Sequence, residues 1–171
     1  MVETAEVRDT YIAYKPSIEH DLLLINWWSE LADGGDLSKI FHPNIHAPSR
    51  FLPYFNPPRA MFFKIEGPRI WFALWAEPFF DGAAIGLWVA PEKRRTRETL
   101  RSLLRMVDVL VRQYKTLVVV SKLEGIIEQV GSAAGFEPVG SISRIFSGSD
   151  MSVAQLTIEK WQQNRGSLNG S

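Results

Sequence analysis

The sequence predicts an α/β (α+β) domain built on a mixed central sheet of about seven strands, with helices on both faces. Three apolar runs joined by short turns, at residues 60–66, 69–77 and 83–89, indicate an antiparallel meander. An amphipathic helix is predicted at 96–113 from its apolar spacing. The β-branched run at 117–120 that follows is typical of a buried strand parallel to the one before the helix. The chain therefore combines a meander with one parallel β-α-β step.

The N-terminal part of the chain predicts one strand and one long helix. Residues 11–14 form a short strand that Pro16 ends. Ser17 is the predicted helix cap, because its side chain can accept a hydrogen bond from the first turn, and Gly34 follows the last helical residue. The stripe predicted to face the core consists of apolar residues at helical spacing: Ile18, Leu22, Ile25, Trp28 and Leu31.

The remaining segments complete the predicted order. Residues 36–59 contain five prolines and predict an irregular excursion with at most one or two short helices, of the kind that often shapes a pocket. Residues 123–134 predict a helix that ends at a glycine. A final hairpin is predicted from 137–147 and 152–157, and a short helix from 158–163.

Composition limits the classes of function. The 171 residues fit one domain, predicted at 1–163, with a flexible tail rich in Gly, Ser and Asn at 164–171. The formal net charge is zero with one local basic patch, so nucleic acid is not an expected partner. The absence of cysteine excludes disulfides, thiolate metal sites and a cysteine nucleophile. No apolar run reaches the roughly 20 residues of a membrane span, and the acidic first residues do not resemble a signal peptide, so we expect a cytoplasmic protein.

The junction at residues 87–100 is the strongest candidate for a ligand site. An apolar strand ends at Pro91, and the first turn of the next helix lies near 95–99. The free N–H groups of that turn, at the positive end of the helix dipole, suit a pyrophosphate. Basic side chains outnumber acidic ones here: Lys93, Arg94, Arg95, Arg97, Arg101 and Arg105 against Glu92 and Glu98. A solvated basic helix face is the alternative interpretation.

The order of elements over about residues 11–161 resembles the GNAT superfamily of acyl-CoA-dependent N-acetyltransferases. The segments that carry the resemblance are Val-Ala-Pro-Glu-Lys-Arg at 89–94, Gly-Phe-Glu-Pro-Val-Gly at 135–140 and Leu-Thr-Ile-Glu-Lys-Trp at 156–161. The resemblance implies a splayed pair of parallel strands that admits acetyl-CoA. It also implies transfer of the acetyl group to a primary amine of a small molecule or peptide.

The resemblance implies that backbone groups supply most of the contacts to coenzyme A. The pantetheine arm would pair along the strand at Leu87, Trp88 and Val89. The phosphates would lie on the following turn, whose candidate residues are Arg94, Arg95, Arg97, Glu98 and Thr99. Ser121, just past the second strand of the splayed pair, is a weaker candidate.

The sequence departs from the family pattern in the turn. Arg95, Arg97 and Thr99 stand where the family has glycines, so either the ligand lies farther out or the loop follows a different path. Additional arginines could compensate by clamping phosphate with charge-assisted hydrogen bonds.

The sequence also lacks some of the catalytic side chains that are usual in the family. The tyrosine that often protonates the departing thiolate corresponds to Gly131, so this acid is absent. The strand at 83–89 has no titratable group, which leaves Glu77 and Asp81 as the nearest general-base candidates, against the alternative that both are plain solvated carboxylates.

Three alternatives remain open at this stage. The first is a catalytically silent GNAT-fold protein that serves as a binding or assembly module, such as a part of a phage particle. Glycine-poor versions of the fold resemble predicted acetyltransferases encoded by phages, which is a hint about the origin of the chain. A homodimer is compatible with either function. The second, metal binding through His42 and His46, is disfavoured because Pro43 interrupts the helix that their spacing needs and His20 is far upstream. The third, nucleic-acid binding by the basic helix, lacks interleaved aromatic residues.

Overall fold

The computed structural model describes residues 11–121, 134–142 and 151–168. Its strands are β1 (Ile12–Ala13), β2 (Ala60–Glu66), β3 (Arg69–Phe79), β4 (Gly82–Val89), β5 (Thr116–Ser121), β6 (Glu137–Ile142) and β7 (Met151–Thr157). Its α-helices are α1 (Ile18–Asp33), α2 (Leu37–Ile40), α3 (Pro48–Tyr54), α4 (Arg97–Tyr114) and α5 (Ile158–Leu168). Two 3₁₀ turns lie at Pro43–Ile45 and Pro91–Lys93.

The strands form one mixed sheet in the order β1-β2-β3-β4-β5-β7-β6. Strands β2, β3 and β4 are the predicted antiparallel meander. Strand β5 runs parallel to β4 after the crossover through α4, and β7 pairs antiparallel with both β5 and β6. The predicted fold class is confirmed, including the single parallel step. Burial of β5 is less complete than predicted, since Leu117 and Val119 are buried while Val118 and Val120 are half-buried.

Helix α1 docks through a different stripe from the predicted one. Ile18, Leu22 and Ile25 are 83%, 56% and 37% exposed, so their prediction as core residues was wrong. The helix instead buries Leu24, Trp27 and Leu31, of which only the last belonged to the predicted stripe. Apolar side chains lie on more than one side of this helix, so periodicity alone did not decide which side packs. Burial of the large Trp27 ring decided it.

An aromatic cluster fills the space between α1, the proline-rich segment and the sheet. The Trp27 ring lies at its centre, with ring centroids 5.5 to 6.2 Å from those of its neighbours. These neighbours are Phe41, Phe51, Phe55, Trp75 and Trp88. Such pairs each contribute about 0.5 to 1.5 kcal/mol beyond the burial of their area. The cluster thus fixes the segment at 36–59, which forms the short helices α2 and α3 and one 3₁₀ turn.

The opposite face of the sheet carries α4 and α5. Phe72 alternates in direction with the neighbouring residues of β3, and its ring contacts Tyr11, whose hydroxyl donates to the Ser102 carbonyl of α4. Asp108 of α4 accepts a hydrogen bond from Trp161 Nε1 of α5 at 2.6 Å. Helix α5 extends beyond its predicted end at residue 163 because Arg165 also binds Asp108.

Some predictions lie outside the described residues. These are most of the helix at 123–134, the end of the strand at 137–147, its turn, and the last residues of the tail. Within the described residues, no helix has the length and apolar character needed to cross a membrane.

Candidate active site

Strands β4 and β5 are paired over only the first half of their length. Their parallel pairing joins Ala83 to Leu117, Ala84 to Val118 and Ile85 to Val119, and it goes no further. Strand β4 nevertheless stays paired with β3 up to its end, and β5 stays paired with β7 up to Ser121. The two strands therefore diverge after Ile85, and beyond this residue one edge of β4 has no strand partner among the described residues. This is the splayed pair that the resemblance implied.

Glycines at two positions shape this strand pair. A Cβ on Gly82 would lie 2.4 Å from the Thr116 carbonyl oxygen, so glycine permits the close approach of β4 and β5 at their first residues. A Cβ on Gly86 would lie 2.1 Å from Cε2 of Trp75, whose indole covers this residue from β3. Gly86 is also the first residue of β4 beyond the pairing with β5. The aromatic cluster therefore reaches the point where the strands diverge.

The open edge of β4 presents a small set of backbone groups. The N–H of Ala90 donates to the Trp71 carbonyl of β3 at 2.8 Å. Because backbone groups alternate in direction along an antiparallel ladder, Trp88 also faces β3, whereas Leu87 and Val89 face the gap. The Val89 carbonyl accepts from Arg94 Nε at 2.9 Å. The N–H and C=O of Leu87 and the N–H of Val89 therefore remain for a ligand in the gap, while Trp88, predicted with them, directs its backbone to β3.

The turn that follows β4 ends at the N-terminus of α4. Thr96 is the N-cap, and its hydroxyl oxygen accepts from the Thr99 N–H at 3.2 Å. The N–H groups of Arg97 and Glu98, the first two of the helix, have no acceptor among the described residues. The buried Thr99 hydroxyl donates to the Lys93 carbonyl at 2.6 Å, so its side chain faces inward. Thr99 thus shapes the turn, and the free N–H groups before it form the anion-binding end of the helix.

The missing glycines do not strain this turn. Positive φ values in the described chain occur at Phe80, Lys115 and three glycines elsewhere, and none occurs between residues 90 and 99. The chain enters α4 through the 3₁₀ turn at Pro91–Lys93 and an extended N-cap. The turn therefore follows a path open to any residue, which is the different loop path considered above.

The basic side chains of the turn divide into two groups. Arg95, Arg97 and Arg101 are exposed and have no ion pair among the described residues, so they are available to an anionic ligand. Lys93 lies 3.6 Å from a carboxylate oxygen of Glu98 and 5.3 Å from the Trp71 ring centroid. The first group can bind phosphate, whereas Lys93 is partly neutralised.

Arg94 belongs to the second group, because its guanidinium already forms hydrogen bonds within the protein. Its Nη2 donates to Asp36 Oδ2 at 2.9 Å, in addition to the Nε bond to Val89. The same Asp36 oxygen accepts from Trp88 Nε1 at 3.1 Å. Burial alone would raise the pKa of Asp36, but the Trp88 hydrogen bond and the charge of Arg94 outweigh it and hold that pKa below its usual value. The sequence gives no local signal for Asp36, which follows two glycines well before the turn.

A second arginine fastens the 3₁₀ turn that precedes this site. Arg69, at the start of β3, donates to Glu30 of α1, with 3.1 Å between Nε and Oε1, and to Glu92. The hydrogen bond from Arg69 lowers the pKa of Glu92. Neither contact follows from sequence spacing, since the partners lie on three separate elements.

Glu77 and Asp81, the predicted base candidates, occupy different places. Glu77 pairs with Ala84 and shares the face of Trp75, one residue pair from the end of the β4–β5 pairing. The exposed Asp81 lies in the turn before β4, at the closed end of the strand pair, about 13 Å along the strand from Ile85. Only Glu77 therefore lies near the gap.

Glu77 has neighbours that sequence reasoning missed. Its Oε1 accepts from Arg59 Nη2 at 2.6 Å, and the Arg59 guanidinium lies 4.3 Å from the centroid of the Tyr54 ring. Burial raises the pKa of Tyr54, and the charge of Glu77 raises it further, so the phenol stays protonated at neutral pH. The side chains of Tyr54, Arg59 and Glu77 thus place a carboxylate and a neutral phenol on the sheet face that carries the aromatic cluster.

The other predicted positions contribute less. Ser121 is the last residue of β5, opposite Ser152. Gly131 lies outside the described residues. The His42 ring nitrogen accepts from the Asn44 N–H at 3.1 Å, and His46 Nε2 lies 2.8 Å from the Phe41 carbonyl oxygen. In the part of the chain that the structure describes, no group of three or more His, Asp or Glu side chains could hold a metal ion.

Comparison with known proteins gives matches at the level of structure. No protein-family model and no curated protein sequence matches the chain. The spermidine N-acetyltransferase of Vibrio cholerae, solved in complex with CoA and spermine, is similar with a TM-score of 0.68 at 10% identity, over 89% of this chain and 98% of that one. A ribosomal-protein-alanine N-acetyltransferase from Brucella melitensis has a TM-score of 0.66 at 12% identity, over 86% and 99% of the two chains.

A third solved structure is also similar to this chain. Mycobacterium smegmatis RimJ, in complex with CoA-disulfide, has a TM-score of 0.64 at 15% identity, over 93% of this chain and 89% of that one. The matches span nearly all of each chain, and the seven-stranded mixed sheet with its single parallel step agrees with them. This chain therefore has the fold of the GNAT N-acetyltransferases.

Proposed function

We propose that this protein is an acetyl-CoA-dependent N-acetyltransferase that acts on a primary amine of a small molecule or peptide. The observation that carries the proposal is the divergence of β4 and β5 after Ile85, on a strand that leads through one short turn to the free N–H groups of Arg97 and Glu98. A strand edge next to an anion-binding helix end suits a ligand with an amide-bearing arm and a pyrophosphate. The similar structures solved with CoA support the choice of ligand.

The residues present fit coenzyme A without a glycine-rich turn. The backbone groups of Leu87 and Val89 that face the gap would pair with the pantetheine arm. The N–H groups of Arg97 and Glu98, with the side chains of Arg95 and Arg97, would bind the pyrophosphate. Acetyl-CoA supplies an acetyl thioester, the activated group for transfer to an amine.

The chain's own groups would then support the transfer in two ways. A backbone N–H of β4 in the gap would donate to the thioester carbonyl oxygen and stabilise the negative charge that develops there. Glu77 would accept the proton of the amine, directly or through a water molecule, at Oε2, because Oε1 is bound to Arg59. The leaving thiolate needs no dedicated acid, since water can protonate it.

The first experiment measures binding of acetyl-CoA by thermal unfolding. At 100 times its Kd, a ligand specific to the native state stabilises by about 2.7 kcal/mol. For a domain of this size we expect a rise in Tm of roughly 5 to 11 °C. The double variant Arg95→Ala/Arg97→Ala should lose most of this shift. The matched control is Arg112→Ala, which removes an exposed arginine from the far end of α4 and should keep the shift.

The second experiment measures thiol release from acetyl-CoA with spermidine, free amino acids and peptides with an N-terminal alanine. We expect release with at least one amine class and its reduction in Glu77→Gln. Absence of any thermal shift at millimolar acetyl-CoA contradicts the proposal. A normal shift without thiol release across the panel contradicts the enzymatic part of it and leaves a coenzyme A binding protein.

A further inference from the structure

We propose that Asp36 is a positioning residue for the cofactor turn and that it acts through Arg94. This inference rests on the proposed function, because it assigns a purpose to the shape of the turn that would bind coenzyme A. The turn between β4 and α4 has no glycine, and its backbone angles are ordinary. Backbone hydrogen bonds form its 3₁₀ part, as between the Lys93 N–H and the Ala90 carbonyl at 2.8 Å, whereas the side-chain contacts of Asp36 connect the turn to the strand that carries the open edge.

One oxygen of Asp36 holds two parts of the site at once. Oδ2 accepts from Trp88 Nε1 at 3.1 Å and from Arg94 Nη2 at 2.9 Å. Trp88 belongs to β4, and Arg94 belongs to the turn. The Asp36 side chain is only 16% exposed, so water competes weakly for these bonds. The aspartate therefore fixes the distance between the end of the strand and the turn.

Arg94 also binds the end of β4, on the edge that faces the gap. Its Nε donates to the Val89 carbonyl at 2.9 Å, which is the last acceptor on the open edge of β4. The planar guanidinium holds Val89 with one nitrogen and Asp36 with another, so its orientation is set from both ends. The free N–H groups of Arg97 and Glu98 follow three and four residues after Arg94. A fixed Arg94 would therefore hold the phosphate-binding end of the helix at a constant position relative to the strand that would bind pantetheine.

A separate contact anchors the preceding residues. Arg69 ties Glu92 to Glu30, upstream of Arg94 and independently of Asp36. Loss of the Asp36 charge should therefore loosen residues 94–98 without unfolding the domain. This separation makes a positioning role distinguishable from a general structural one.

The test variant is Asp36→Asn, which keeps an acceptor for Trp88 and removes the ion pair with Arg94. The matched control is Lys39→Ala, which removes another cation from the same carboxylate, at 3.5 Å, on a side chain that is 65% exposed. Two measurements are made on the full chain. Hydrogen exchange of the free protein follows the amides of Arg94 and Thr96, which donate within the turn to the carbonyls of Pro91 and Lys93, and calorimetric titration with CoA gives Kd.

We expect Asp36→Asn to accelerate exchange of the Arg94 and Thr96 amides with little change in Tm, and to raise the Kd for CoA about tenfold, because the binding-competent turn is less populated. In a turnover assay the KM for acetyl-CoA should rise by a similar factor while kcat stays within twofold. Asp36→Glu should recover part of the affinity, and Lys39→Ala should match the wild type in every measurement.

Unchanged exchange of the Arg94 and Thr96 amides in Asp36→Asn overturns the positioning role, whatever the affinity for CoA. A uniform loss of protection over the whole sheet also overturns it, because the residue would then be merely structural. If the wild-type protein fails to bind CoA, the proposed function fails, and the exchange of the free protein still decides whether Asp36 positions the turn.

Discussion

Replacement of Gly86 by alanine tests whether the aromatic cluster extends to the point where β4 and β5 diverge. The added Cβ would lie 2.1, 2.3 and 2.5 Å from Cε2, Cζ2 and Nε1 of Trp75. Ordinary contact begins near 3.4 Å, so the closest ring atom must retreat by about 1.3 Å, the difference between 3.4 and 2.1 Å. The substitution therefore forces a movement of the whole indole.

The indole has little room to move. Trp75 is 6% exposed, stacks on Phe41 with ring centroids 5.0 Å apart, and lies 6.2 Å from Trp27. Overpacking of a well-packed core costs about 1 to 3 kcal/mol. Alanine is intrinsically favoured over glycine within a strand by roughly 0.5 to 1 kcal/mol, so any measured loss understates the clash. We expect Gly86→Ala to lower Tm by about 2 to 12 °C.

The assay is thermal and urea unfolding of four variants. Gly140→Ala is the matched control, because its added Cβ would meet nothing within 4 Å. The other variants are Gly86→Ala, Trp75→Leu and their combination, which form a double-mutant cycle. In the Trp75→Leu background, Gly86→Ala should cost less than half of what it costs in the wild type. Equal costs in both backgrounds, or a change in Tm below 1 °C for Gly86→Ala alone, would refute the reasoning.

Two further predictions concern stability in the C-terminal half of α4 and at its C-cap. Lys115 has φ 64° and ψ −35°, so Lys115→Gly should raise stability by about 1 kcal/mol in thermal unfolding; an unchanged or lower Tm contradicts the strain at this residue. Burial alone would raise the pKa of Asp108, but the hydrogen bonds from Trp161 and Arg112 outweigh burial and lower this pKa in the folded state. The carboxylate therefore stabilises the fold at pH values above its ordinary pKa of 3.8, and this contribution disappears as the pH falls through the lower pKa of the folded state. Asp108→Asn should therefore cost about 1 to 2 kcal/mol at pH 7, and urea unfolding should show the difference from wild type shrinking below pH 3.8; a difference independent of pH contradicts this assignment.

Much of the fold could be predicted because it is encoded locally. The meander follows from three apolar runs and their short turns, and the parallel step follows from a helical stripe and a β-branched strand. The same stripe placed the start of α4 near Thr96. The cap there is a hydrogen bond from the Thr99 N–H to the side chain of Thr96, three residues earlier. These features depend on residues that are close in sequence, where propensity and periodicity act.

The helix α1 shows where local pattern stops being sufficient. Ile18, Leu22 and Ile25 have the spacing of a buried stripe and are exposed, because Trp27 on another side of the helix enters the aromatic cluster. Which stripe packs depends on the surface that receives it. That surface is made by β3 and the segment at 36–59, which contribute Trp75, Phe41, Phe51 and Phe55.

The candidate site divides in the same way. The sequence by itself determined that an apolar strand runs into a basic turn and an amphipathic helix, since each is a property of consecutive residues. Only the tertiary structure decided that Arg94 binds Asp36, a residue 58 positions earlier, and that Glu77 rather than Asp81 lies near the gap. Ion pairs between distant residues and the divergence of two strands arise when whole elements dock, and no local pattern specifies how they dock.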